Sequence, residues 1–221
     1  MTMRLPLTVL TLITIGASFV RGQQLAGEDR WEADIKKFEA ADRKHAPPAN
    51  AVVFVGSSSI RLWKLADSFP GMEAINRGFG GSQMADSARY ADRIVTPYRP
   101  RAVVVYAGDN DLADGKTPEQ VRDAYRDFVA KVRAKQPDVP IIYIGIKPSP
   151  SRWKLADKAK TANRLIAEAQ RGDPNQKFVD VWEPMLKADG RPNPQLFVKD
   201  QLHMNDAGYK IWAELLKPLL M

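Results

Sequence analysis

Only two imidazoles occur in the 221 residues, His45 and His203. Imidazole titrates near neutrality, so it is the side chain suited to take a proton from a hydroxyl nucleophile at working pH. His203 stands three residues after Asp200 in Lys199-Asp200-Gln201-Leu202-His203. At that spacing one tight turn can set the carboxylate against the ring, fix its tautomer and stabilise the imidazolium formed in proton transfer. The same spacing also occurs as a plain surface pair. His45, in Lys44-His45-Ala46-Pro47-Pro48, reads as a polar helix end, where a cation favours the C-terminal dipole. Hydroxyls for such a base are concentrated in Gly56-Ser57-Ser58-Ser59, directly after the apolar run Val52-Val53-Phe54-Val55. Serines there have a structural use too, because Ser is a favoured N-cap and Ile60, Trp63 and Leu65 follow at helix-like spacing.

Two further clusters carry polar groups to strand ends. Asn110, in Gly108-Asp109-Asn110-Asp111, follows Ala102-Val103-Val104-Val105-Tyr106. It suits a plain turn, or a side-chain amide aimed at a developing oxyanion. Gly78, Gly80 and Gly81, in Gly78-Phe79-Gly80-Gly81-Ser82, suit either a turn of positive φ or a backbone N–H that approaches a ligand. The loop lacks the full Gly-x-Gly-x-x-Gly dinucleotide fingerprint. No Gly-x-Ser-x-Gly nucleophile elbow surrounds the serines. With no cysteine and no paired histidines, no metal-ligand cluster is apparent, and no cofactor is expected.

The elements that must position these groups alternate regularly. An amphipathic helix is read over 28–44, with Trp31, Ile35 and Phe38 at helical spacing and Pro47 and Pro48 behind it. Strands are read at 51–55, 74–76, 102–106, 141–146 and 178–181. Helices are read at about 59–66, 83–95, from Pro118 onward, 152–170 and 205–219. The helix at Pro118 shows its own start signal: Thr117 as N-cap, Pro118 at the first position and Gln120 closing a capping box. Ile211, Trp212, Leu215 and Leu216 are expected to face inward from the last helix. Strands separated by helices imply a parallel sheet covered on both faces, with all strand C-termini on one edge. That edge is where open α/β sheets place their sites.

Length and composition fit one sizeable domain with a full core. Residues 1–22 differ from the rest: Arg4 precedes an apolar stretch, Leu5 to Val20, and Val20-Arg21-Gly22 offers small residues at a cut site. The stretch is short for a membrane span, so a cleaved export signal is expected, with an uncleaved anchor as the alternative. The single domain then runs over 23–221, and the product is expected to be periplasmic or extracellular without a stable membrane span. Absence of cysteine excludes disulfides and a cysteine-linked lipid anchor. Of the 33 basic residues, Arg4 and Arg21 leave with the signal, so 31 stand against 26 acidic ones. These charges alternate, as in Arg122-Asp123-Ala124-Tyr125-Arg126-Asp127. A mixed solvated surface explains them better than a nucleic-acid stripe.

Taken in order, Gly-Ser-Ser-Ser, Asn-Arg-Gly-Phe-Gly-Gly, Gly-Asp-Asn-Asp and Asp-Gln-Leu-His resemble the four blocks of the SGNH (GDSL-type) hydrolase superfamily. Within it they resemble the branch of platelet-activating-factor acetylhydrolase-like esterases, and the resemblance covers Ala51 to Leu220. It implies a three-layer α/β/α sandwich with a central parallel sheet of about five strands, of flavodoxin-like type. It also implies a serine esterase acting on short-chain acyl or acetyl esters. Ser58 becomes the nucleophile, His203 the base and Asp200 its orienting acid. Backbone N–H groups of Ser58 and Gly81 and the amide of Asn110 become the oxyanion hole. Two positions depart from the family pattern: Ser57 and Ser82 stand where aspartate is usual. Ser59 is left as a capping or structural residue. Expected rim elements are 147–153 and 192–197, around an open, shallow site. Alternatives within the same site are a carbohydrate or peptidoglycan O-acetylesterase and a lysophospholipase. A non-catalytic glycan- or lipid-binding protein of the same fold is the alternative of another class.

Overall fold

Apolar strands without polar alternation need cover on both faces. In the computed structural model, which describes residues 30–221, they have it. Five strands, β1 (Val52–Gly56), β2 (Ala74–Gly78), β3 (Ala102–Tyr106), β4 (Ile141–Ile144) and β5 (Gln176–Val179), form one all-parallel sheet in the order β2-β1-β3-β4-β5. This is the flavodoxin-type order, in which the chain reverses direction across the sheet between β1 and β3.

Alternate strand residues divide between two cores. Val53, Val55, Val103, Val105, Ile141 and Tyr143 face one side, with the buried faces of α1 (Glu32–Lys44), α4 (Met84–Ile94), α6 (Pro118–Lys135) and α7 (Ala156–Ala169). On the other side Phe54, Val104, Tyr106 and Ile142 pack with α2 (Ser58–Arg61), α3 (Leu65–Ser68) and α8 (Asp206–Leu220). Aromatic rings fill that second layer. Trp63 stacks on Tyr209 at 5.4 Å between centroids and meets Trp212 edge-on at 5.6 Å. Residues 31–221 form one compact unit. The expected signal, residues 1–22, lies outside the described residues.

Several expectations shift locally. The helix expected over 59–66 is two short helices, α2 and α3, because the chain turns at Leu62–Lys64. The turn expected at Asn110 is a five-residue helix, α5 (Asp109–Ala113), started by Gly108 at φ +120°. The helix expected from 152 begins as a 3-10 segment, Pro150–Leu155, before α7. On α8, Trp212 and Leu216 are buried, whereas Ile211 and Leu215 are half-buried against the same core. The Thr117–Gln120 capping box is present in both directions. Among the described residues no helix is long and apolar enough to cross a membrane.

Gly56 shows how tightly the strand ends close. Its φ is +135°, and a Cβ there would lie 1.9 Å from the Tyr106 carbonyl oxygen, which only glycine avoids. The backbone then leaves β1 with Ser57 N–H bonded to that carbonyl at 3.0 Å, while Phe79 N–H bonds Gly56 O at 2.9 Å. The ends of β1, β2 and β3 are thereby held side by side.

Candidate active site

At that edge the structure brings together residues from four distant segments. A cleft of about 420 Å³ is lined by Ser58, Gly81, Asn110 and His203, with Asp34, Arg61 and Leu202 on its rim. Of the rim expected over 147–153 and 192–197, none lines this cleft. The larger groove, about 890 Å³, runs along the other side of His203 between α3 and α8, and neither Ser58 nor Asn110 lines it.

Ser58 begins α2, and its first-turn N–H has no intrahelical acceptor. The neighbouring serines sort by burial. Ser57 is fully buried, its hydroxyl without a partner among the described residues. It stands at the N-cap position without making the side-chain cap bond. Ser59 is buried and accepts from Lys147 Nζ at 3.1 Å, so it is structural and not a cap. Only Ser58 is partly exposed. Its Oγ lies 2.9 Å from His203 Nε2.

The Asp200–His203 turn is built locally. Asp200 Oδ1 accepts the backbone N–H groups of Leu202 and His203, each at 2.9 Å, while its Oδ2 meets His203 Nδ1 at 2.5 Å. Gln201, at φ +57°, takes the left-handed conformation that closes the turn. An ionised carboxylate only accepts, so Nδ1 carries the proton and Nε2 is left to accept from Ser58 Oγ–H. Partial burial pushes the Asp200 pKa up. Hydrogen bonds from the His203 ring and from the two backbone N–H groups outweigh that and bring it down to about 2. The turn is fastened by Val198 N–H to His203 O and by an antiparallel bridge from Phe197 to Met204. Tyr209 OH on α8 bonds Ser59 O at 2.9 Å and ties this end of the chain to α2.

On the opposite wall, Gly81 has φ +79°, a conformation natural to glycine, beside the buried Ser82. Asn110 Nδ2 donates to Ser82 O at 2.9 Å. Beneath it lies a charged cluster that sequence reasoning missed. Lys147 is buried and its Nζ reaches Ser59 Oγ, Tyr106 OH and Asp109 Oδ2 at 3.0–3.1 Å. Arg152 Nη1 lies 3.1 Å from the same Asp109 oxygen, and its Nη2 donates to Asn110 Oδ1 at 2.8 Å. Burial pushes the Asp109 carboxyl up, but the two cations outweigh it and hold the group ionised; burial pushes Lys147 down against that same attraction. The only signal in the sequence is a pair of cations bracketing Pro148-Ser149-Pro150-Ser151 after β4. Asp111 accepts the N–H of Met84, with both oxygens at 3.1 Å, at the start of α4. Burial raises its pKa to about 6, against the lowering effect of that bond. His45 lies apart, exposed at the end of α1. No group of three or more metal-ligating side chains occurs among the described residues.

Fold and cleft together define an α/β protein with its candidate site at the switch point between β1 and β3. The chain belongs to the GDSL-like lipase/acylhydrolase family, which it matches over residues 56–211, and it is a hydrolase acting on ester bonds. It is similar to platelet-activating factor acetylhydrolase IB subunit alpha1 of Bos taurus, 29% identical over 207 residues that cover 90% of this chain and 86% of the relative. Subunit alpha2 of the Rattus norvegicus enzyme is 28% identical over 210 residues, covering 89% and 85%. Among solved structures, a GDSL-like lipase from Bacteroides thetaiotaomicron superposes with TM-score 0.71 at 24% identity, covering 85% of this chain and 97% of that one. A catalytic mutant of an acetylxylan esterase from Geobacillus stearothermophilus superposes with TM-score 0.62 at 14% identity, covering 78% and 94%. The resemblance to the SGNH superfamily and its acetylhydrolase-like branch is thus shown.

Proposed function

We propose that the protein is an exported serine esterase that removes short acyl groups, acetyl foremost, by way of a Ser58 acyl-enzyme. The observation that carries this reading is the continuous chain Ser58 Oγ, His203, Asp200, with contacts of 2.9 and 2.5 Å at the mouth of the cleft. His203 Nε2 takes the Ser58 proton as Oγ attacks the ester carbonyl, while Asp200 stabilises the imidazolium. The oxyanion is met by the N–H groups of Ser58 and Gly81 and one N–H of the Asn110 amide. Collapse of the tetrahedral species breaks the bond to the alcohol, which leaves with the proton from His203. Water then repeats the cycle: His203 takes its proton, the acyl–Oγ bond breaks, and Ser58 recovers the proton as the acid departs.

A short acyl group fits within the open cleft of about 420 Å³, whose volume would also admit a larger one. It also agrees with the acetylhydrolase and acetylxylan esterase names of the relatives. Hydrolysis of p-nitrophenyl acetate tests the reading. Ser58→Ala is expected to lower kcat on the order of 10⁶-fold with the fold unchanged. Equal rates in the two proteins would sink the Ser58 acyl-enzyme. Export is supported by Arg4 followed by the apolar stretch Leu5 to Val20. N-terminal sequencing of protein recovered outside the cytoplasm should begin near Gln23; an intact Met1 in that fraction would refute cleavage.

A further inference from the structure

We propose that Arg152 is a positioning residue that fixes which end of the Asn110 amide faces the reacting ester. The inference rests on the oxyanion role of Asn110 given above. A side-chain amide has two nearly isosteric ends, one donating and one accepting, and only the donating end stabilises an oxyanion. Here each end meets a partner that works one way. Ser82 O only accepts, and it takes Asn110 Nδ2–H at 2.9 Å. The Arg152 guanidinium only donates, and Nη2 gives to Asn110 Oδ1 at 2.8 Å. Flipping the amide would set oxygen against oxygen at Ser82 and N–H against N–H at Arg152. Both contacts would become repulsive, so the second N–H of Nδ2 is left free for the cleft.

Arg152 is itself held on two sides. Asp109 Oδ2 faces Nη1 at 3.1 Å, and that carboxylate is in turn fixed by buried Lys147 at 3.1 Å and by the Asn110 backbone N–H, which donates to Oδ1 at 3.0 Å. The segment carrying Arg152 is pinned by Trp153 stacked on Trp182 at 6.0 Å and by Ser151 N–H bonded to Gln201 O at 3.1 Å. Nη2 hydrogen-bonds Asn110 while Nη1 makes an ion pair, without a hydrogen bond, to Asp109, and a single ammonium nitrogen does not supply both positions.

A double-mutant cycle in the full chain tests the assignment, with p-nitrophenyl acetate as substrate and melting temperature recorded for each variant. Arg152→Met is expected to lower kcat by about 10–100-fold, less than the roughly 10²–10³-fold expected for Asn110→Ala, with KM within about twofold. In the Asn110→Ala background the Arg152 substitution should cost less than about twofold, because the group it orients is gone. Arg152→Lys keeps a cation beside Asp109 and is the variant to read if the methionine protein does not fold. It should show the same coupled loss of kcat. An unchanged kcat in a folded Arg152 variant overturns the proposal, as does an equal loss in both backgrounds, which would mark Arg152 as merely structural. A wild-type kcat for Asn110→Ala would instead overturn the oxyanion role of Asn110, and the positioning role with it.

Discussion

The two walls of the cleft are built by opposite means. Asp200 and His203 form a self-contained turn on the surface: three hydrogen bonds close it within four residues, and the Asp200 side chain is 47% exposed. Across the cleft, Asn110 stands on Lys147, Asp109 and Arg152, contributed by segments about 40 residues apart, with the Asp109 side chain only 8% exposed. The difference follows from the work proposed for each wall. The base must trade protons with substrate and water, so it stays near solvent and is steered by one local carboxylate. An oxyanion donor must be in place before charge develops and must not reorganise, so a buried network holds it.

This contrast predicts that the two walls fail differently. Between the two walls Asp200→Asn should give the larger effect on rate: a loss in kcat of about 10⁴-fold in steady-state assays, because the ring loses the acceptor that selects its tautomer. Its stability should change by about 1 kcal/mol in urea melts, because solvent screening of a side chain 47% exposed discounts the roughly 2 kcal/mol that its lowered pKa would otherwise represent. Lys147→Met should do the reverse. Leaving the Asp109 carboxylate short of one buried partner is expected to cost about 3 kcal/mol in the same melts, the lower end of the usual range because Arg152 remains beside it. Comparable destabilisation by the two substitutions would erase the distinction between a local and a long-range wall.

A third prediction sharpens the comparison through pH. Asp111 is buried with its pKa raised to about 6 from the ordinary 3.8. Between those values the folded protein binds the proton more readily than the unfolded chain. Its contribution to stability is therefore greatest below about pH 4 and declines as pH rises through about 6. Asp111→Asn lacks that decline, so its melting temperature relative to wild type should climb between pH 4 and 7. A flat difference would mean that Asp111 does not titrate in this range. Asp200, with its pKa near 2, has the opposite sign: its contribution is present above about pH 4 and is lost as pH falls through about 2.

Much of the site is legible before folding because its signals are local. Asp200 and His203 are three residues apart and a single turn joins them. Ser58 follows the strand that sets its position, and Asn110 follows the clearest β-branched run in the chain. Alternating strands and helices imply a common C-terminal edge, and the five parallel strands agree. The short helix at Asp109–Ala113 escaped because Gly, Asp and Asn are equally at home in a plain turn. Lys147 and Arg152 escaped for a different reason. In sequence they are two cations in a proline-rich loop, and exposure is the ordinary expectation for such residues.

Local spacing and periodicity alone thus determined a parallel sheet covered on both faces, a candidate base with its acid, and a short set of serines, while the flavodoxin-like arrangement came from the family resemblance. Tertiary structure decided which serine faces His203, since burial removes Ser57 and Ser59 and leaves Ser58 at 2.9 Å. It also decided what holds Asn110, because the fork of Arg152 reaches the amide only when β3 and β4 lie side by side. The physical reason is range. A turn or a strand is specified by neighbours in the chain, whereas the desolvation that makes Lys147, Asp109 and Arg152 matter to one another exists only after the sheet has closed over them.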